Sequence, residues 1–228
     1  MIIAIDGPAG SGKSSTAREV ADRLGFLHVD SGAFYRALTW ALLEAGVPED
    51  EWDDLDADRL DRLEVRGERG DDGLRIRVRD EVVDRELRTE RVNDHVSRVA
   101  RIPGVRSWLL DRLRSLARDE DVVVDGRDIG TAVFPDAELK VFLVAAPEVR
   151  ARRRLREEGV PEPDRDTLLD AIDRLKERDR IDSEREVAPL RAAGDAIRVD
   201  TTALTFDEQV AAILELAKGA RVGARPTH

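Results

Sequence analysis

No stretch constrains this chain more than Gly7-Pro8-Ala9-Gly10-Ser11-Gly12-Lys13-Ser14. It follows a short apolar run at 2–5. After it comes a segment, about 13–24, in which Ala17, Val20, Ala21 and Leu24 recur on one helical face. Strand, tight glycine-rich loop and helix, in that order, make the phosphate-binding pattern G-x-x-x-x-G-K-[ST]. The glycines let backbone N–H groups turn inward around phosphate oxygens, and the helix N-terminus adds favourable partial charge. Lys13 would reach the β- and γ-phosphates of a triphosphate, and the Ser14 hydroxyl would coordinate Mg²⁺. The candidate ATP-binding segment is therefore Gly7, Pro8, Ala9, Gly10, Ser11, Gly12, Lys13, Ser14 and Ser15. Such a loop specifies triphosphate binding but not the reaction, since GTPases, motors and small-molecule kinases share it.

The rest of the chain sets the loop in an α/β frame. Residues 27–29 read as a second strand ending at Asp30-Ser31-Gly32, and a helix at about 33–44 is stopped by Gly46 and Pro48. Continuous apolar runs at 122–124 and 141–144 suit strands buried on both faces, and 196–199 supplies a last strand. Helical patterns fall at about 90–100, 105–117, 147–158, 165–183 and 205–217, so the alternation implies a mostly parallel sheet. Between 49 and 89 the character changes. Leu63-Glu64-Val65-Arg66 and Leu74-Arg75-Ile76-Arg77-Val78-Arg79 alternate strictly, which predicts a small antiparallel insertion with one wet face.

Composition narrows the function classes. Aromatics make up only 4% of the 228 residues, so the core must be aliphatic. Without cysteine, disulfides and thiolate metal sites are excluded. No apolar stretch approaches the roughly 18 residues of a membrane span, and the start lacks a basic leader region, so a soluble cytoplasmic protein is expected. A net charge of −11 argues against nucleic-acid or membrane-surface binding, although converging arginines can still build a positive cleft.

Four further clusters bear on an acceptor site. Asp30-Ser31-Gly32-Ala33-Phe34-Tyr35-Arg36 opens a helix, and Ser31 and Arg36 could hold a phosphate there or merely cap and solvate it. Asp125-Gly126-Arg127-Asp128-Ile129-Gly130-Thr131 directly follows a buried strand, where ligands of open α/β sheets bind. The segment 97–106, with Ser97 and Arg106, reads equally as a solvent-facing one. In the charge run 176–185, Arg178, Asp182 and Arg185 share one helical face, as a phosphate grip or a solvated stripe. His28, His95 and His228 have no partner pattern for metal or triad chemistry. Trp40 and Trp108 fit apolar helix faces, and Trp52, in an acidic region, has no evident role.

Taken in order, the sets at 5–13, 30–36 and 125–131, with Val133-Phe134-Pro135 behind the last, resemble the bacterial cytidylate kinases. Glu177-Arg178-Asp179, leading to Val187-Ala188-Pro189-Leu190, completes a similarity that runs over about 3–217. This branch of the nucleoside monophosphate kinases implies an adenylate-kinase-like, three-layer P-loop fold with five parallel strands. Its core would span about 1–48, 90–149 and 166–217 of a single domain, with an acceptor-binding insertion at 49–89. A short mobile lid would lie at 150–165 and a disordered tail at 219–228. The resemblance implies transfer of the γ-phosphate of MgATP to CMP or dCMP by a monomer with nucleotides as its only partners. Ser31, Arg36, Arg127 and Arg185 would surround the acceptor phosphate; Ser97, Arg106 and Asp128 would read cytosine; Arg178 and Asp182 would meet the ribose. Lys13, Arg127, Arg178 and Arg185 would be catalytic, and Asp125 would help hold Mg²⁺ through water. Rival readings are a P-loop kinase for UMP or a non-nucleotide alcohol, and a nucleotide-dependent switch protein. The switch reading lacks the guanine-reading Asn-Lys-x-Asp of GTPases.

Overall fold

The computed structural model describes residues 1–70 and 73–223. From the N-terminus the elements are β1 (Ile2–Asp6), α1 (Lys13–Leu24), β2 (Leu27–Asp30) and α2 (Ser31–Glu44). Then come α3 (Ala57–Asp61), β3 (Val65–Gly70), β4 (Gly73–Val78), β5 (Glu81–Val82), α4 (Glu90–Val99) and α5 (Pro103–Leu116). The last part holds β6 (Val122–Gly126), β7 (Leu139–Val144), α6 (Pro147–Glu157), α7 (Arg165–Ser183), β8 (Ile197–Asp200) and α8 (Phe206–Gly223). One sheet has the order β2-β6-β1-β7-β8, and its β1–β6, β1–β7 and β7–β8 pairs are parallel. This is the α/β architecture expected from the alternating elements. Central β1 is wholly apolar from Ile3 to Ile5 because neither face meets water, whereas edge strand β8 leaves Ile197 exposed. The strand order reverses at β1, between β6 and β7, and the carboxyl ends meeting there carry Asp6, Asp125 and Gly126.

The chain divides into two compact units, Met1–Phe26 with Asp121–His228, and Leu27–Glu120. In the first, Ile3, Ile5, Val123, Val141 and Leu143 of the sheet pack with Ala17 and Val20 of α1 and with Val210, Ile213 and Ala217 of α8. This packing corrects one expectation. Residues 219–223, read from the sequence as tail, continue α8, with Ala220 set against the same core. Residues 224–228 lie outside the described residues. The segment expected as a lid at 150–165 is in part helical. Residues 150–157 belong to α6, whose Ala151 and Leu155 pack on Ala171 and Leu175 of α7, and only 158–164 link the two helices. Apolar residues four apart on each helix give the hairpin its own small core, a pattern that the dense arginines of α6 mask in the sequence.

The second unit holds the antiparallel sheet β3-β4-β5, as the alternation in the insertion predicts. Val65, Ile76 and Val78 turn inward while Arg66, Glu68 and Arg75 face water. Gly67 faces α2 so closely that a Cβ there would come within 2.9 Å of the Phe34 ring. Trp52, unassigned from the sequence, is fully buried. Its Nε1 donates to Val47 O at 3.0 Å, and His95 and Arg98 pack on its ring. His95 is thereby part of the scaffold, with its ring nitrogens on Arg91 O and Glu49. Trp108 is buried too, its Nε1 donating to Asp61 at 2.8 Å. Among the described residues no helix is long and apolar enough to cross a membrane.

Candidate active site

The glycine-rich loop is built by backbone conformations that side chains disfavour. Gly7 has φ 154°, and a Cβ there would lie 2.3 Å from Leu143 O of β7, so only glycine lets the loop leave β1 alongside β7. Gly12, at φ 89°, is the left-handed N-cap of α1 and supplies no side-chain cap. The first N–H groups of α1 are thus not capped by a side chain, which suits an anionic ligand. Lys13 is buried, with Nζ 3.3 Å from Pro8 O, so it folds back across the loop. Ser15 is exposed and donates to Gly12 O at 3.0 Å, while the buried Ser11 Oγ has no partner among the described residues.

Three helices from later in the chain brace this loop and the start of α1. Ala9 N donates to Asp179 Oδ1 of α7 at 3.2 Å, and Arg150 of α6 donates to Ala9 O at 3.0 Å and to Asp179 Oδ2 at 2.5 Å. Arg153 reaches Ser11 O at 3.1 Å and both oxygens of Thr201. Gln209 of α8, also buried, donates to Thr16 Oγ1. None of these four residues was singled out from the sequence. Asp179 stood inside the Glu177-Arg178-Asp179 set, but its aim at the loop is visible only once α7 is placed.

Behind the loop, Ser14 Oγ donates to Asp125 Oδ2 at 2.5 Å, and Asp125 is almost fully enclosed at the end of β6. A hydroxyl beside a carboxylate is a hard-oxygen donor pair of the kind Mg²⁺ takes together with retained waters. Asp6, at the end of β1, is 4% exposed and accepts from Ile129 N and Gly130 N, both at 2.8 Å. Burial pushes its carboxyl up to about 6 despite those two donors, with the charge of Asp128 adding and that of Lys13 opposing. The chain after Asp128 winds into a single π-helical turn, Ile129–Val133, in which Ala132 N and Val133 N donate to Asp128 O.

Of the residues expected to meet an acceptor, those of the first unit lie close together. Arg127 Nε donates to Asp182 Oδ2 of α7 at 2.9 Å, and Arg185 Nε donates to Asp182 O at 3.1 Å. Arg178, one turn before Asp182, has an enclosed Nε with no partner among the described residues. Desolvation, followed by the charge of Arg127, pushes its guanidinium down to about 10. Arg127 on its carboxylate, Arg185 on its backbone oxygen and Arg178 one turn earlier thus lie around Asp182. Asp179 belongs to the same helix and touches Ala9, so this cluster begins within one helical turn of the phosphate loop.

In the second unit, Asp30 caps α2 by accepting from Ala33 N at 3.1 Å, and buried Ser31 follows it. Arg36 donates to Leu87 O at 3.2 Å and to Asn93 Oδ1 at 2.5 Å. Arg106 is buried on α5, donates to Ala100 O at 3.1 Å and lies 5.9 Å from the centre of the Tyr35 ring. Ser97 is half-buried on α4. Tyr35 was read only as part of the 30–36 set, and its contact with Arg106 depends on the packing of α2 and α5.

Residues 3–219 match the family model described as cytidylate kinase. A cytidylate kinase of Exiguobacterium sibiricum is 46% identical over 218 residues, covering 96% of this chain and 97% of its own. One from Geobacillus sp. strain WCH70 is also 46% identical, over 94% of this chain and 95% of its own. Among solved structures, an uncharacterised protein of Eubacterium ventriosum aligns over 96% of this chain and 98% of its own. Its TM-score is 0.51 at 16% identity, a likeness of fold alone. The phosphate loop, the 125–131 turn and the arginines of α7 fall within the matched span, and the chain belongs to the cytidylate kinase family.

Proposed function

We propose that the chain transfers the γ-phosphoryl group of MgATP to CMP and dCMP, giving ADP and CDP or dCDP. The observation that carries this reading is the cluster of Arg127, Arg178 and Arg185 around Asp182, with Arg127 on its carboxylate and Arg185 on its backbone oxygen, in the same unit as the phosphate loop. A triphosphate-hydrolysing switch has no use for a second anion site, whereas a kinase with a phosphate acceptor requires one. The family and its near relatives point the same way.

On this reading Gly7–Ser15 cradle the ATP phosphates, with Lys13 on the β- and γ-oxygens. Ser14 directly, and Asp125 through water, would hold Mg²⁺, which neutralises phosphate charge when bound. Ser31, Arg36, Arg127 and Arg185 receive the acceptor phosphate, and Arg178 and Asp182 the ribose. Asp128 accepts from the exocyclic N4 amine of cytosine, with Ser97 and Arg106 assisting. Uracil places an oxygen where that amine stands, so Asp128 would face an acceptor and UMP would bind worse. No general base is needed, because the attacking phosphate oxygen is already anionic. The residues position two phosphates and neutralise the charge that spreads in a loose transition state.

The test is a coupled assay of ADP release with MgATP and a panel of acceptors. CMP and dCMP should turn over far faster than UMP or AMP, with CDP or dCDP as product. Equal rates with AMP would remove the base-reading assignment, and no product from CMP would remove the reaction.

A further inference from the structure

Asp6 is the one carboxylate on β1, and the strand around it, Ile2 to Ile5, is otherwise apolar. It is 4% exposed, and the charge of Lys13 is the one positive charge that opposes its raised carboxyl. Both of its oxygens instead accept backbone N–H groups of the acceptor turn, Oδ1 from Ile129 and Oδ2 from Gly130. The peptide group joining Asp128 to Ile129 is consequently held at both ends. Its oxygen accepts from Ala132 N at 2.8 Å and Val133 N at 3.2 Å, and its nitrogen donates to Asp6. Holding that plane restrains the carboxyl side of Asp128, whose ψ is 24°, and so narrows the directions in which its carboxylate can leave the chain.

Burying a carboxylate is unfavourable, and the raised carboxyl of Asp6, pushed up first by that burial, reflects it. Asparagine in its place would carry no charge, but its amide offers one acceptor and one donor, so one of the two N–H groups would meet another donor. Only a carboxylate of this length accepts both. The geometry therefore exceeds what packing needs.

We propose that Asp6 is a positioning residue for the acceptor base: it locks the turn that aims Asp128 at cytosine and so sets selectivity without touching substrate. The inference rests on the reading that Asp128 meets the N4 amine. Its particular consequence is that Asp6 governs the ratio of CMP to UMP use rather than the phosphoryl transfer that both share.

The experiment is a cycle of Asp6→Asn, Asp128→Ala and the double variant, with kcat/KM measured for CMP and UMP at saturating MgATP and folding checked by thermal melting. Asp6→Asn should lower the CMP-to-UMP ratio by roughly tenfold. In the Asp128→Ala background the same change should lower it no further. A proportional loss for both acceptors, with the ratio intact, would make Asp6 a structural residue and overturn the inference, as would fully multiplicative effects in the double variant. If Asp128→Ala keeps the wild-type ratio, the base-reading role fails and the inference falls with it. If Asp128→Ala collapses the ratio and Asp6→Asn spares it, the inference alone fails. Should Asp6→Asn not fold, Asp6→Ser, which retains one smaller acceptor, carries the same expectation.

Discussion

Replacing Arg178 by methionine should separate what this residue does for folding from what it does for the reaction. Its guanidinium is pushed down to about 10, more than two powers of ten below the usual arginine range, first by burial and then by the charge of Arg127. Each factor of ten in a protonation equilibrium is about 1.4 kcal/mol, so the charge opposes folding by on the order of 3 kcal/mol. That figure is an upper bound, because part of the side chain reaches solvent and Asp182 offers some compensation. Arg178→Met keeps the aliphatic bulk and removes the charge. Its stability in urea at pH 7.5 should equal or exceed wild type, by up to about 2 kcal/mol, with the melting temperature unchanged or a few degrees higher. Turnover of CMP should meanwhile fall by about 10²–10³, the usual effect of removing one charge-stabilising donor from a site. Added CMP should also raise the variant's melting temperature much less than that of wild type. A variant that loses more than about 1 kcal/mol yet turns over CMP normally would refute the reasoning, for Arg178 would then be scaffold.

Asp179→Ala leaves the enclosed Arg150 guanidinium without its carboxylate and should destabilise the protein by about 3–5 kcal/mol in denaturant. The double variant Arg150→Met, Asp179→Ala should recover a large part of that loss, and no recovery would mean the pair is not the source. For Asp6 the folded carboxyl lies near 6, above the roughly 3.9 of an unfolded chain. Its contribution is therefore full below about pH 4 and is lost as the pH rises through 6. The stability of wild type relative to Asp6→Asn should fall by on the order of 2–3 kcal/mol between pH 4 and 7.5; a difference that grows with pH would contradict the assignment. Asp128→Ala should weaken discrimination for cytosine by about 1–3 kcal/mol, read as the CMP-to-UMP ratio of kcat/KM.

The parts of this molecule that were legible in the sequence are those written in local pattern. β1, the phosphate loop and α1 follow from one motif, and α7 begins and ends where its periodicity says, at Arg165 and Ser183. The α7 arginines were legible as a shared face, but a charge run serves a solvated surface equally well. What the sequence does not show is Arg127, 51 positions before Arg178, arriving from the end of β6 to meet Asp182. Asp6, Arg150 and Asp179 escaped notice for a related reason. Each acts on a backbone group, Ile129 N, Gly130 N or the two ends of Ala9, and backbone groups leave no trace in residue types. Trp52 was unreadable because its partners lie on both sides in sequence, Val47 just before it and His95 with Arg98 far after. The continuation of α8 over 219–223 is not legible because a basic, glycine-containing segment looks like tail until the core behind Ala217 is seen.

The arginine cluster on Asp182 is proposed to be a pocket for the acceptor's phosphate, and calorimetric titration of CMP against cytidine tests that most directly. The two ligands share base and ribose and differ only in the group those arginines are held to receive. CMP should bind at least about a hundredfold more tightly than cytidine, and Arg127→Ala should erase most of the difference. Equal affinities for the two, or an advantage of CMP that survives in Arg127→Ala, would contradict the account.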